Sequence, residues 1–284
     1  MGAAGRLGDS AARDYTLKLR QFHAFAAPEL RQLLAELPLT PGMRVLDVGC
    51  GTGETLALLR ERVGAAGLVV GLDLAAAHAR AAALTQGAHA AVLQADATHV
   101  PLGAGTLDLV FSLNTVHHLP DPLAALRHWC TLLRPGGWLA LAQSSLLPDM
   151  LFAWDERLER RVTEAVRAYY RARYGQSERD LTAVRGLVGL LRGLPLQALQ
   201  VRSLLIERTS PLAAADEAYL LETQFRGTWG ARLRPYLAAD DYAALERLCD
   251  PSGPDYALRR PDFHLLQSLT LARARLPQRT SQKQ

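Results

Sequence analysis

Val45-Leu46-Asp47-Val48-Gly49-Cys50-Gly51-Thr52-Gly53 decides the fold of this 284-residue chain. Val45 to Val48 read as the end of a buried parallel strand interrupted only by Asp47. Three glycines follow at alternate positions, and Glu54 to Val63 then read as a helix with Leu56, Leu59 and Val63 on one face. A strand, a glycine turn and a helix in that order let a ligand lie against bare backbone at a helix N-terminus. Two residues argue against a dinucleotide there. The fingerprint Gly-x-Gly-x-x-Gly, begun at Gly49 or Gly51, would need its last glycine at Glu54 or Leu56. Asp47, at the mouth of the strand, would repel a pyrophosphate but can attract a cation a few ångströms away. The plain alternative is a tight turn whose glycines serve no ligand.

Working outward, the pattern repeats. Gly67 to Asp73 form a second strand, and Asp73 falls twenty residues after Gly53, where a βαβ unit places a carboxylate for ribose hydroxyls; its plainer role is to cap the helix predicted over Ala75 to Thr85. A third strand, Ala91 to Gln94, leads to Asp96 and Ala97. A fourth, Leu107 to Leu113, leads to Asn114 and the pair His117-His118. Asp121-Pro122 supply a cap and a first-turn proline for the helix Leu123 to Leu133, and Arg134-Pro135-Gly136-Gly137 turn into a fifth strand, Trp138 to Gln143. Strands alternating with helices imply a parallel sheet with right-handed crossovers, whose ligands bind at the carboxyl ends of the strands. Asp47, Asp73, Asp96 and Asn114 all fall at such ends.

The composition narrows the class. No apolar run reaches membrane-spanning length, and the first residues lack a signal core, so no integral membrane role is expected. Cys50, Cys130 and Cys249 are dispersed and odd in number, which points to a reducing, cytoplasmic setting and gives no metal spacing. The net charge of +4 is carried almost wholly by scattered arginines, so nucleic acid is not implied. Lys18 and Lys283, the only lysines, lie in no phosphate loop, which removes Walker-type and Schiff-base chemistry.

The glycine stretch resembles motif I of the class I S-adenosylmethionine-dependent methyltransferases. The run from Leu107 to Gln143, with His-His-Leu-Pro-Asp-Pro and Arg-Pro-Gly-Gly-Trp, resembles the same family. The resemblance covers roughly residues 40–145, and this core is similar to methyltransferases of ubiquinone and menaquinone biosynthesis and to related enzymes of secondary metabolism. It implies an α/β fold: a Rossmann-like, seven-stranded, mostly parallel sheet with an antiparallel closing strand, helices on both faces and helical lid insertions. It implies S-adenosylmethionine as cofactor, held by Asp47, Gly49, Gly51, Gly53, Asp73, Leu74, Asp96, Ala97 and Asn114, with Tyr15 contributed by a leading helix that closes over the donor. In the family the acid at the position of Asp96 meets the adenine amino group.

The expected organisation is an N-terminal helical cap (1–39), preceded within it by a frayed Ala/Gly-rich start (1–13), and a donor-binding core (40–147). A helical lid (148–198), closing strands with a helical insertion (199–276, insertion 212–249) and a flexible tail (277–284) follow. Phe152, Trp154, Tyr169, Tyr170 and Tyr174 in the lid, and Tyr219, Phe225, Trp229, Tyr236 and Tyr242 in the insertion, suggest a small, moderately apolar or aromatic methyl acceptor. His117 and His118 are the candidate bases, since imidazole titrates near neutrality. Two alternatives stand beside the methyltransferase: a donor-binding protein doing cyclisation or decarboxylation, and a dinucleotide oxidoreductase. The pattern leaves carbon, oxygen and nitrogen acceptors equally open, and specifies no oligomeric state.

Overall fold

The structure is a computed structural model that describes residues 6–7, 9–87, 91–145, 150–151, 155–175 and 183–278. Five parallel strands, β1 (Arg44–Val48), β2 (Leu68–Asp73), β3 (Ala91–Gln94), β4 (Leu107–Leu113) and β5 (Leu133–Ser144), lie in the order β3-β2-β1-β4-β5. All seven residues of β4 are buried, as a central parallel strand covered on both faces requires. The chain reverses its direction of travel between β1 and β4, which opens a crevice at their carboxyl ends.

Beyond β5 come β6 (Met150–Leu151), β7 (Gln197–Thr209) and β8 (His264–Arg275). β8 runs antiparallel to β5, from Trp138↔Arg275 to Ser144↔Leu269, and β7 runs antiparallel along its other edge. These complete the seven strands expected. The two-residue β6 pairs with Leu265 and Leu266, which also pair with Arg208 and Glu207 of β7. It therefore continues the line of β5 as a short eighth strand.

Side chains alternate across each strand, so Val45 and Asp47 face one layer and Leu46 and Val48 the other. The first layer holds α1 (Thr16–Phe25), α2 (Ala27–Ala35), α3 (Glu54–Val63) and α4 (Ala76–Gln86), with Leu30, Leu33, Leu56 and Leu59 against Val45 and Phe111. The second holds α5 (Pro122–Leu132), whose Leu126 and Trp129 pack on Leu46, Val110 and Leu139. Asp121 caps α5 by accepting the Ala124 N–H at 2.9 Å, with Pro122 in the first turn.

The expected lid divides. α6 (Glu156–Tyr174) joins the first layer through Val162, Ala165 and Val166. α7 (Ala183–Arg192) lies on the second face of the sheet, where Leu187 and Leu191 are 1 % exposed. Burial of that degree contributes roughly 1.5–3 kcal/mol per leucine, so α7 is a layer helix and no lid. Phe152 and Trp154 lie outside the described residues. The later insertion consists of α8 (Ala214–Leu220), a π-helical run (Leu221–Thr228), a 3₁₀ stretch (Ala231–Tyr236) and α9 (Ala239–Cys249). Tyr219 stacks on Phe25 with ring centres 4.5 Å apart, and Phe225 packs on Trp229 at 5.3 Å. These aromatic residues are buried helix–helix packing.

The start of the chain is not frayed where it is described. The Arg6 N–H donates to the His118 carbonyl at 2.9 Å, beyond β4, and the Ala76 N–H donates to the Ala11 carbonyl at 3.0 Å, beyond β2. Arg13 pairs with Asp9 and donates to the Leu7 carbonyl at 2.9 Å. A segment satisfying this many backbone and charged groups is tied down; it passes over the strand tips as a strap.

Candidate functional site

The tips of β1, β2, β3 and β4, together with the strap and α1, enclose a cavity of about 540 Å³. Of the residues expected to bind a ligand, Tyr15, Gly49, Gly51, Asp73, Leu74, Asp96, Ala97 and Asn114 line it, and so does His118. Asp47, Gly53 and His117 do not.

The three glycines do different work. A Cβ at Gly49 (φ +76°) would sit 2.0 Å from Thr115 Oγ1, so this glycine lets β1 meet the loop after β4. Gly53 (φ +91°) caps α3, and a Cβ there would come within 3.1 Å of Ala82 in α4. Its carbonyl accepts Gln86 Nε2 at 2.9 Å, making Gly53 a packing glycine. Gly51 (φ +54°) also lines the cavity and has room beside it: among the described residues, and apart from its chain neighbours, Leu19 Cδ1 at 3.2 Å is the one atom within 4 Å of a built Cβ. Glu54 then opens α3 and carries a carboxylate where a pyrophosphate would need positive potential.

Asp47 points with Val45 toward α3, and its Oδ2 accepts Thr55 Oγ1 at 2.6 Å. Thr55 in turn lines the cavity, so Asp47 stands one side chain behind the wall. Its Oδ1 is buried with no hydrogen-bond partner among the described residues. Burial, opposed by the Thr55 hydrogen bond and reinforced by the Asp73 charge, pushes its pKa up to about 7.

Asp73 accepts the Gly51 N–H on Oδ2 at 2.9 Å, and on Oδ1 it meets the Ala75 N–H at 2.9 Å and His78 Nδ1 at 3.2 Å. Asp96 Oδ1 accepts the Thr98 N–H and hydroxyl, both at 2.8 Å. The next residue, Ala97, is fixed by Trp129 Nε1 donating to its carbonyl at 2.7 Å. Asn114 (φ +52°) turns its amide oxygen to the end of β5, where it accepts Gln143 Nε2 at 2.8 Å, the Ser144 N–H at 2.8 Å and Ser144 Oγ at 3.1 Å. Its side chain thus clamps two strand tips together.

The two histidines diverge although their rings lie 4.1 Å apart. His117 Nδ1 meets Gln143 Oε1 at 3.0 Å, and burial together with the neighbouring His118 pushes its pKa down to about 3. His118 Nδ1 meets Asp9 Oδ2 at 3.0 Å. Burial works against the charge of Asp9, but hydrogen bonding to His118 and the charges of His118 and Arg13 outweigh it and hold the carboxyl below its ordinary value. Tyr15 donates its backbone N–H to His78 Nε2 at 2.9 Å, while Arg13 bonds its phenol and lies 4.1 Å over its ring.

Sequence reasoning missed Asp9, Arg13, His78 and Gln143, none of which stands in a motif. Among the described residues no cluster of three or more histidine, cysteine or acidic side chains could hold a metal, and no helix is long and apolar enough to cross a membrane.

Comparison with known proteins agrees with this geometry. Residues 46–141 match the family described as a methyltransferase domain. The chain is 34 % identical over 123 residues to the 27-O-demethylrifamycin SV methyltransferase of Amycolatopsis mediterranei, covering 42 % of this chain and 44 % of that one. It is 36 % identical over 138 residues to the nocamycin O-methyltransferase of Saccharothrix syringae, covering 46 % and 48 %. The matched region thus spans about half the length of these relatives. Among solved structures, the YcgJ protein of Bacillus subtilis shares the fold over 89 % of this chain and 99 % of its own, with a TM-score of 0.57 at 13 % identity.

Proposed function

We propose that this chain, whose residues 46–141 match the family described as a methyltransferase domain, is an S-adenosylmethionine-dependent enzyme that methylates a small, moderately apolar or aromatic molecule. The observation that carries this reading is the convergence of Gly51, Asp73 and Asp96, from three strand tips, on one cavity, with the buried Asp47 behind it. The residues present fit the donor: Asp47 holds an unpartnered oxygen beside the wall, and Gly51 offers backbone where a side chain would intrude. When bound, S-adenosylmethionine supplies a methyl group on a positively charged sulfur, open to direct displacement.

In this assignment Asp73 and Leu74 hold the ribose, Asp96 and Ala97 the adenine, and the Gly49–Gly53 turn the amino-acid portion. A positive charge near Asp47 would favour its ionised form, which burial alone disfavours. Tyr15 and Asn114 complete the wall, and the strap with Leu19 and Phe22 excludes water. His118 is the candidate base: its Nδ1 is held by Asp9 and its ring lines the cavity, where it can meet an acceptor. His117 stays neutral at pH 7 and can only accept or donate a hydrogen bond.

The similar proteins named for rifamycin and nocamycin methylation support an acceptor from secondary metabolism. The test is calorimetry with S-adenosylhomocysteine, followed by a panel of phenolic and aliphatic acceptors read by release of that product. Binding with turnover supports the reading. Binding of NADH, with none of the sulfur nucleotide, would overturn it.

A further inference from the structure

One buried polar side chain beside the donor cavity has no part in the assignment above. His78, 7 % exposed, sits in the first turn of α4. Its Nε2 faces the backbone N–H of Tyr15 at 2.9 Å. An amide N–H can only donate, so this nitrogen is the bare one, and in the neutral ring the proton stands on Nδ1. Nδ1 lies 3.2 Å from Asp73 Oδ1, to which it donates. Asp73 Oδ2 in turn accepts the Gly51 N–H. An unbroken chain therefore runs from the strap's end at Tyr15, through His78 and Asp73, to the glycine turn.

We infer that His78 is a positioning residue for the donor, clamping the N-terminal strap onto the carboxylate assigned to the ribose so that strap closure and the aim of Asp73 form one step. The inference rests on the donor reading. Three N–H groups, from Gly51, Ala75 and His78, occupy the Asp73 oxygens and fix the direction of the remaining acceptor capacity. An acceptor fixed in advance loses less rotamer freedom on binding. The strap's other end is held independently, by Asp9 on His118 and by the Arg6 N–H on the His118 carbonyl. Loss of His78 removes the anchor at Tyr15 while leaving that end, and the Ala76 N–H on the Ala11 carbonyl, in place.

The experiment uses the full chain and S-adenosylhomocysteine. Affinity and dissociation rate are measured for wild type, for His78→Phe, which keeps the ring's volume without its nitrogens, and for His78→Ala, so that a packing defect in one variant does not decide. His78→Gln, which carries an acceptor and a donor on one group, is the rescue. Hydrogen exchange of residues 9–15 is followed with and without the nucleotide. The expected result is at least tenfold weaker binding in both nitrogen-free variants, mainly through faster dissociation, with loss of nucleotide-induced protection over 9–15 and partial recovery in His78→Gln. Unchanged affinity, or weaker binding with that protection intact, overturns the role of His78. A wild-type protein that does not bind S-adenosylhomocysteine overturns the donor reading instead.

Discussion

Asp47→Asn should make the ligand-free protein more stable above neutrality and a poorer binder of S-adenosylmethionine. In the folded chain the Asp47 carboxyl is raised to about 7 from an ordinary value of 3.8, by burial first, with Asp73 adding to it against the Thr55 hydrogen bond. Between those values the folded state holds a proton that the unfolded state has released, so stability declines as pH rises from about 4 to about 7. At 1.36 kcal/mol per pH unit, that interval corresponds to about 4 kcal/mol of lost stability by pH 8. Asparagine abolishes the loss and keeps an acceptor for Thr55, but it places an NH₂ where Oδ1 now has no partner. That unmet donor costs about 1–3 kcal/mol. The net expectation is a gain of about 1–3 kcal/mol at pH 8, a rise of several degrees in melting temperature, and a loss of similar size at pH 4. The assay is thermal unfolding of both proteins from pH 4 to pH 9, paired with calorimetry of S-adenosylmethionine in two buffers of different ionisation enthalpy. Wild type should release a proton on binding near pH 7, whereas the variant should release less and bind at least tenfold more weakly. Melting curves offset by the same amount at every pH would refute the titration of Asp47 and the reasoning built on it.

Gly51→Ala should weaken S-adenosylhomocysteine binding more than it destabilises the fold, since its left-handed φ costs about 1–2 kcal/mol and only the movable Leu19 side chain stands near. Gly49→Ala should unfold the protein at lower temperature whatever the ligand, because Thr115 lies in the way; equal melting temperatures for the two variants would contradict this. Asp73→Ala should cost about 1–3 kcal/mol of binding, the scale of a hydrogen bond to a charged group, and unchanged affinity would remove the ribose assignment. Asn114→Ala should lower stability by about 1–3 kcal/mol, as three donors from Gln143 and Ser144 lose one half-buried acceptor, with chemical denaturation as the check.

Local signals carried most of the core. The strand–turn–helix at Val45 to Val63 could be read because period-two burial, alternate glycines and the leucine spacing act within a few residues of one another. The Asp121-Pro122 cap and the tip positions of Asp73 and Asp96 could be read for the same reason. The two-residue periodicity also held the direction of Asp47, which shares a face with Val45 and so turns toward Thr55 instead of the open cavity. What the sequence hid depends on distant contacts. Asp9 meets His118 across 109 residues, and a short Ala/Gly-rich segment gives no periodicity to announce that it is held. His78 sits on a helix of alanines whose pattern says nothing of the Tyr15 N–H it receives. Amphipathicity marked α7 as helical, but a leucine stripe alone does not say whether it covers the sheet or the cavity. Asn114 was placed at the right tip, yet its side chain follows the register of β5, which fixes where Ser144 arrives.

A crystal structure of the full chain with S-adenosylhomocysteine tests the central claim most directly. The account predicts the nucleotide in the cavity between Gly51 and Asp96, its ribose hydroxyls on Asp73 and the strap closed above it. A nucleotide bound at another place, or one lying across the strand tips without touching Asp73 or Gly51, would contradict it.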